Sequence, residues 1–124
     1  MGETLIQKPV TWQRARESGI ALYSWRRSLG LNRGTFAGIA NVSERSLATY
    51  EKQDEFPVSV RPQVTEAVRL VKALLEIIPA RDLPAWLQTP NPGFTGRKPW
   101  TLIQQGERDI IWEMIHQTRY GAFA

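Results

Sequence analysis

The sequence predicts an all-α fold, with a bundle of short helices in its first half and a small helical domain in its second. Apolar residues recur at the three- and four-residue spacing of helices along most of the chain. Prolines, glycines and capping residues divide that pattern into short segments. No stretch alternates apolar and polar residues as a half-buried strand does, so we expect helices alone.

The composition excludes several classes of protein. The chain holds no cysteine, which excludes disulfides, thiolate metal sites and cysteine nucleophiles. Its longest apolar stretch is interrupted by charged residues, and no secretory signal is visible at its start, so we expect a cytoplasmic protein with no membrane contact. Residues 1–62 hold nine basic against six acidic residues, a net of +3, whereas residues 63–124 hold seven against six, a net of +1. A polyanion would therefore bind the first half.

The chain begins with a segment, residues 1–19, that we expect to be an N-terminal arm or short helix. Thr11 is placed to cap a helix over residues 12–18, because a threonine hydroxyl accepts a hydrogen bond from a free N–H group of the first turn. Gly19 is placed to end that helix in the left-handed conformation.

Residues 20–56 are predicted to hold three short helices joined by tight turns. The first covers residues 20–29, where apolar side chains follow the helical period. A glycine, two asparagines, a serine and a proline mark the points at which the three helices start or stop: Gly30, Asn32, Asn41, Ser43 and Pro57.

Residues 57–63 are predicted to be a connector, because prolines at both ends disfavour a helix. Residues 64–124 are expected to form the second domain, for partner binding and dimerisation. Its first helix, over residues 64–78, is apolar around more than half of its circumference, so it either centres the fold or packs on a second copy. Pro84 and Pro99 open two short helices, and a last helix covers residues 107–120.

The segment from Arg33 to Tyr50 has the spacing of a helix-turn-helix. A small residue allows the two helices to approach, an asparagine takes the left-handed turn conformation, and a leucine faces the core. Residues at the start of the second of these helices would then meet base edges, with Arg45 as the leading contact to a base or phosphate and Arg33 on a backbone phosphate. The candidate DNA-binding residues are Arg33, Ser43, Glu44, Arg45, Ser46, Thr49 and Lys52. The alternative is a helical hairpin with a solvated polar face.

The runs WRRSLGL (25–31), TFA (35–37), VSERSL (42–47) and YEK (50–52) resemble the helix-turn-helix of Xre-family regulators. The resemblance implies an Xre-like bundle that binds double-stranded DNA. It also implies that Arg26 and Glu51 form the pair that ties the first helix to the end of the third. Those two residues are then structural rather than DNA contacts.

The second half contains WLQTPNP (86–92), GRKPW (96–100) and a terminal YGAFA (120–124), which resemble the C-terminal domain of Xre/MbcA/ParS-type antitoxins. This resemblance, from about Ile20 to the end of the chain, implies a partner. The partner would be an RES-domain toxin that degrades NAD, bound and silenced by the C-terminal half while the N-terminal half represses the shared operon.

The last helix carries the candidate partner surface. Ile111, Met114, Ile115 and Thr118 form an inward stripe, which leaves Trp112, His116 and Arg119 on another face. A tryptophan and an arginine on a free face would be good interface residues, although Trp112 packing on another helix of the same chain is an equal alternative. The candidate partner-binding residues are Arg97, Lys98, Trp100, Trp112, His116, Arg119 and Phe123.

Catalysis has little support in the sequence. No phosphate-binding loop, zinc-binding helix or nucleophile elbow is present, and one histidine alone would have to serve any serine-based relay. We therefore expect no enzyme, no metal and no cofactor. The interpretation is a homodimeric, DNA-binding antitoxin. The alternatives are a stand-alone Xre-type regulator without a toxin and a protein-interaction adaptor that binds no DNA.

Overall fold

The computed structural model describes residues 10–120, and the regular secondary structure of these residues is helical. Within that range the only strand-like pairing is an isolated bridge between Asn91 and Arg97, so the predicted all-α fold is confirmed. None of the described helices is long and apolar enough to cross a membrane. The α-helices are α1 (Trp12–Ala15), α2 (Gly19–Ser28), α3 (Arg33–Ala40), α4 (Glu44–Tyr50), α5 (Arg61–Leu74), α6 (Leu83–Gln88), α7 (Pro99–Gln104) and α8 (Arg108–Arg119), with 3-10 turns at Ala80–Asp82 and Pro92–Phe94.

The turns around α3 and α4 confirm the predicted helix boundaries. The Asn32 carboxamide oxygen accepts a hydrogen bond from the Thr35 backbone N–H at 2.7 Å and caps α3. The Ser43 hydroxyl accepts one from the Ser46 N–H at 3.0 Å and caps α4. Between the two helices Asn41 has a φ of 57°, the left-handed conformation that asparagine tolerates. Local side-chain chemistry therefore fixes both ends of this turn.

The prediction for Gly19 is wrong. Helix α1 already ends at Ala15, and Gly19 begins α2, with the Ser18 hydroxyl as its cap. The reason for a glycine is a close approach of two backbones, since a Cβ on Gly19 would lie 1.8 Å from the carbonyl oxygen of Tyr50. This absence of a side chain brings the start of α2 against the end of α4.

Helix α5 starts and ends earlier than predicted. It begins at Arg61, inside the predicted connector, because Pro62 lies in its first turn, where a backbone N–H has no helical partner to lose. It ends at Leu74, before the predicted end at Ile78. The chain then forms a tighter turn, in which the Ile77 N–H donates to the carbonyl three residues earlier, that of Leu74, at 3.0 Å. Ile78 precedes a proline, which disfavours the helical conformation there.

Helix α5 is the central helix of the described chain. It packs against α1, α3 and α8. Its buried residues are Val64, Ala67, Val68, Leu70, Val71, Ala73 and Leu74, and they belong to one hydrophobic cluster that also contains residues of α2, α4 and the later helices. Its apolar surface is thus covered by the chain itself, which is the first of the two possibilities left open by the sequence.

The second half docks directly on α3. Trp100 of α7 packs on Gly38, where an added Cβ would lie 2.6 Å from the indole Cζ2, and its indole N–H donates to the Thr35 carbonyl at 2.9 Å. At the end of α3, Arg108 Nη2 donates to the Ile39 carbonyl at 3.0 Å. Gln63 Nε2 donates to the Asn41 carbonyl at 3.0 Å. Side chains of α5 and α8 thus satisfy carbonyls that a helix C-terminus leaves free.

Candidate functional site

The helices α3 and α4 pack as a helix-turn-helix. The Val42 N–H donates to the Ala37 carbonyl at 3.1 Å, which closes the turn after Asn41. The Leu47 side chain is fully buried, and Val42 packs partly buried against the core. Ala37, also buried, is small enough to allow the close approach. Each steric role that the sequence assigns to these positions is observed.

The predicted recognition residues lie together on and beside α4. Ser43, Glu44, Arg45, Thr49 and Lys52 are exposed, and Ser46 is half-buried. Among the described residues, neither Arg45 nor Lys52 forms an ion pair. Two of the hydroxyl groups are hydrogen-bonded to each other, since the Ser43 hydroxyl donates to the Ser46 hydroxyl at 2.9 Å. The two cations of this face therefore remain available to a ligand.

A buried ion pair holds α4 in place. Arg26 at the end of α2 donates from Nε to Glu51 Oε2 at 2.6 Å and from Nη2 to Oε1 at 2.7 Å. The two side chains are 5% and 2% exposed. The third guanidinium nitrogen donates to the Leu31 carbonyl at 3.1 Å. This is the pair that the resemblance to Xre-family regulators implies. Its bidentate geometry fixes both the orientation of the two side chains and the distance between them.

Arg33 shares the same carboxylate. Its Nε donates to Glu51 Oε1 at 2.9 Å, while its side chain stays 35% exposed. The predicted phosphate contact is thus held by one nitrogen, and it presents the rest of its guanidinium toward solvent. A guanidinium oriented in this way loses less rotamer entropy when it binds an anion.

Arg33 also lines a cleft of about 520 Å³ between the end of α2 and the start of α3. The cleft contains three arginines, Arg26, Arg27 and Arg33, beside Tyr23 and the capping Asn32. Arg27 is exposed, and it donates from Nη1 to the Tyr23 hydroxyl at 2.6 Å. Arg27 and Tyr23 are not among the site residues predicted from the sequence. The adjacent arginines Arg26 and Arg27 at the predicted end of a helix were the feature that could have indicated this cleft.

Three predicted partner-binding residues are engaged within the chain. Arg97, just before α7, pairs through Nη1 with Oε2 of Glu107, just before α8, at 2.6 Å. The Trp100 indole is bonded to α3, as described above. Trp112 is partly buried and packs against the hydrophobic cluster. These side chains support the shape of the C-terminal half.

The other predicted partner-binding residues are at the surface. Lys98, His116 and Arg119 are exposed, and Arg119 forms an ion pair with Glu76 at the end of α5. Phe123 lies outside the described residues. Thr118 is exposed, so its assignment to the inward stripe is wrong. The inward stripe ends at Ile115, because every residue of the last turn of α8, from His116 to Arg119, is exposed.

Comparison with known proteins identifies relatives for this chain. It is similar to the mycobacterial cidal antitoxin MbcA of Mycobacterium tuberculosis strain H37Rv and to the antitoxin of the same name from Mycobacterium bovis. In both cases 28% of the residues are identical over 96 residues, which cover 77% of this chain and 85% of the relative. No protein-family model matches the chain, and no solved structure matches it. The similarity relates the chain to an antitoxin and supports a regulator rather than an enzyme.

The buried ion pair generates a prediction about stability. Replacing Glu51 by alanine leaves the Arg26 guanidinium buried without a carboxylate, so the free energy of unfolding should fall by about 3–5 kcal/mol. Urea titration followed by circular dichroism measures this fall. The control is Glu55→Ala, because the Glu55 side chain is 84% exposed.

The control should change the free energy of unfolding by less than about 1 kcal/mol. The double variant Arg26→Met/Glu51→Leu should be less destabilised than Glu51→Ala, because it removes the buried charge together with its partner. If Glu51→Ala unfolds at the same urea concentration as Glu55→Ala, the pair does not hold the helices together.

Proposed function

We propose that this protein is a sequence-specific DNA-binding regulator that serves as the antitoxin of a toxin–antitoxin pair. It represses its own operon through the helix-turn-helix and neutralises an RES-domain, NAD-degrading toxin through its C-terminal half. The single observation that carries the DNA-binding part is the exposed face of α4, whose Arg45 and Lys52 form no ion pair among the described residues. The similarity to MbcA supports the antitoxin part.

The exposed face of α4 suits the major groove of DNA. The groove is about 12 Å wide and admits one helix, with the N-terminal residues nearest to the bases. Arg45 lies in the first turn and can pair with the two acceptors of guanine. Glu44, beside Arg45, repels phosphates and selects cytosine, because its carboxylate accepts a hydrogen bond from the cytosine amino group. Lys52 lies just beyond the C-terminal end of α4, where it reaches a backbone phosphate.

The cleft at the start of α3 supplies the second set of contacts. Arg33, oriented by Glu51, and the exposed Arg27 place two guanidiniums beside the N-terminus of α3. A helix N-terminus carries a partial positive charge, which favours the same anions. A phosphate bound in this cleft would fix the position of α4 along the groove without reading sequence.

A homodimer would complete the DNA-binding unit. Two copies related by a two-fold axis present their recognition helices about 34 Å apart, the distance between successive major grooves on one side of DNA. This arrangement requires a pseudo-palindromic operator. The dimer also doubles the number of phosphate contacts, which raises the dependence of affinity on salt.

The partner surface is assigned to the exposed side of the C-terminal half. Lys98, His116 and Arg119 are exposed, and Lys98 forms no ion pair among the described residues, so the region of the toxin that it contacts should be acidic. Arg97, Trp100 and Trp112 act as supports, because their contacts within the chain hold α7 and α8 on the core. Loss of a support would weaken binding by changing the shape of the surface.

DNA binding is tested by fluorescence anisotropy with the protein's own promoter and a scrambled duplex, at two salt concentrations. We expect tighter, salt-sensitive binding to the promoter. Arg45→Ala should weaken promoter binding by about 1–3 kcal/mol, since it removes a bidentate base contact. The matched control is Arg81→Ala, which removes an exposed arginine from the 3-10 turn before α6.

Equal affinity of the wild-type protein for both duplexes would contradict sequence-specific binding. It would favour the adaptor, in which the helix-turn-helix serves as scaffold. An unchanged promoter affinity in Arg45→Ala, with specificity intact, would remove Arg45 from the set of base contacts.

The antitoxin part is tested by co-expression with a genomically adjacent RES-domain protein. We expect the wild-type chain to restore growth and the cellular NAD level. The variant Lys98→Glu/His116→Glu should restore them less, because it places two acids against an acidic surface. Arg45→Ala should restore both fully, since it alters only the DNA-binding face.

Failure of the wild-type chain to restore growth, with both proteins present in soluble form, would contradict the antitoxin role. Specific promoter binding in that same protein would then identify a stand-alone regulator.

A further inference from the structure

A second basic cleft lies away from the helix-turn-helix, between α1 and the start of α5. It has a volume of about 400 Å³, and its lining residues include none from α3 or α4. Three of them are arginines from two parts of the chain: Arg14 in α1, Arg16 at its C-terminal end and Arg61 at the start of α5. Thr65, one turn further along α5, adds a hydroxyl.

Arg16 gives this cleft an unusual electrostatic feature. Its Nε is buried and has no hydrogen-bond partner among the described residues. No other buried side-chain nitrogen or oxygen of residues 10–120 lacks a partner. The guanidinium carbon lies 5.3 Å from the centre of the Trp12 ring, a cation–π contact that holds the side chain in position. Buried donors in proteins nearly always have an acceptor, so the Arg16 guanidinium keeps donor capacity for an acceptor that enters the cleft.

The other arginines of the cleft are only weakly neutralised. Arg14 Nη1 lies 3.8 Å from Glu17, and Arg61 Nη2 lies 4.0 Å from Glu55, both at the long end of ion-pair distances. The two carboxylates are 60% and 84% exposed, so they can rotate into solvent when an anion enters. Three guanidiniums beside two displaceable carboxylates favour an anion with several acceptor oxygens.

We propose that this cleft binds a phosphate group, with Arg14, Arg16 and Arg61 as donors. A phosphate is negatively charged and offers acceptor oxygens to guanidiniums on several sides. The group belongs either to a free phosphorylated small molecule, for which the volume is sufficient, or to a nucleic-acid backbone. The site is separate from α4, so it can exist whether or not the helix-turn-helix binds DNA.

The test uses the side-chain N–H signal of Arg16 in nitrogen-15-labelled protein, assigned by its absence in Arg16→Lys. Inorganic phosphate is added, with potassium chloride at matched ionic strength as the reference. We expect the Arg16 signal to shift with phosphate and saturate, and not to shift with chloride. Arg61→Gln and Arg14→Gln should each raise the Kd about tenfold, whereas Arg69→Gln, an exposed arginine of α5 outside the cleft, should leave it unchanged.

A promoter duplex added to a second sample distinguishes the two sources of phosphate. A shift of the Arg16 signal that is lost in Arg61→Gln would assign the phosphate to the DNA backbone. An unchanged signal, with the response to inorganic phosphate intact, would assign it to a free phosphorylated molecule. If the Arg16 signal responds equally to phosphate and chloride, and the duplex does not shift it, the donor is satisfied by solvent and the proposal is overturned.

Discussion

The carboxylate of Glu51 is the point at which the three helices α2, α3 and α4 meet. It follows α4, and it accepts hydrogen bonds from Arg26 at the end of α2 and from Arg33 at the start of α3. A carboxylate that is 2% exposed is stable as an ion only while such donors surround it. Its position therefore fixes the three helices relative to one another, and with them the direction in which α4 presents Arg45.

The remainder of the chain is built onto that bundle rather than tethered to it. Trp100 occupies the space over Gly38, and Arg108 and Gln63 donate to the last carbonyls of α3. Both proposed activities thus depend on one hydrophobic cluster. A substitution that loosens α7 would disturb the proposed DNA-binding face as well as the proposed partner surface.

The sequence was most informative where the chemistry is local. Asn32, Asn41 and Ser43 act on residues within one turn of themselves, so their identity and spacing were enough to predict the ends of α3 and α4. The pair of Arg26 and Glu51, 25 residues apart, was predicted only through resemblance to a family.

Contacts between distant segments could not be predicted in this way. The sequence predicts Gly19 as a helix end, whereas the residue that requires a glycine there is Tyr50. Its carbonyl approaches Gly19 in the fold but lies far along the chain. The packing of Trp100 on Gly38 could not be predicted, because nothing in the sequence around Trp100 indicates Gly38. Arg27 and the arginines around Arg16 form clefts only when helices pack together, so both clefts required the structure.

Hydrogen–deuterium exchange with and without the promoter duplex tests the proposed DNA-binding role of α3 and α4 without any substitution. We predict slower exchange on binding in residues 32–52, which contain α3 and α4. Exchange that slows only in residues 83–120, or nowhere in the chain at saturating duplex, would contradict the proposed DNA-binding role.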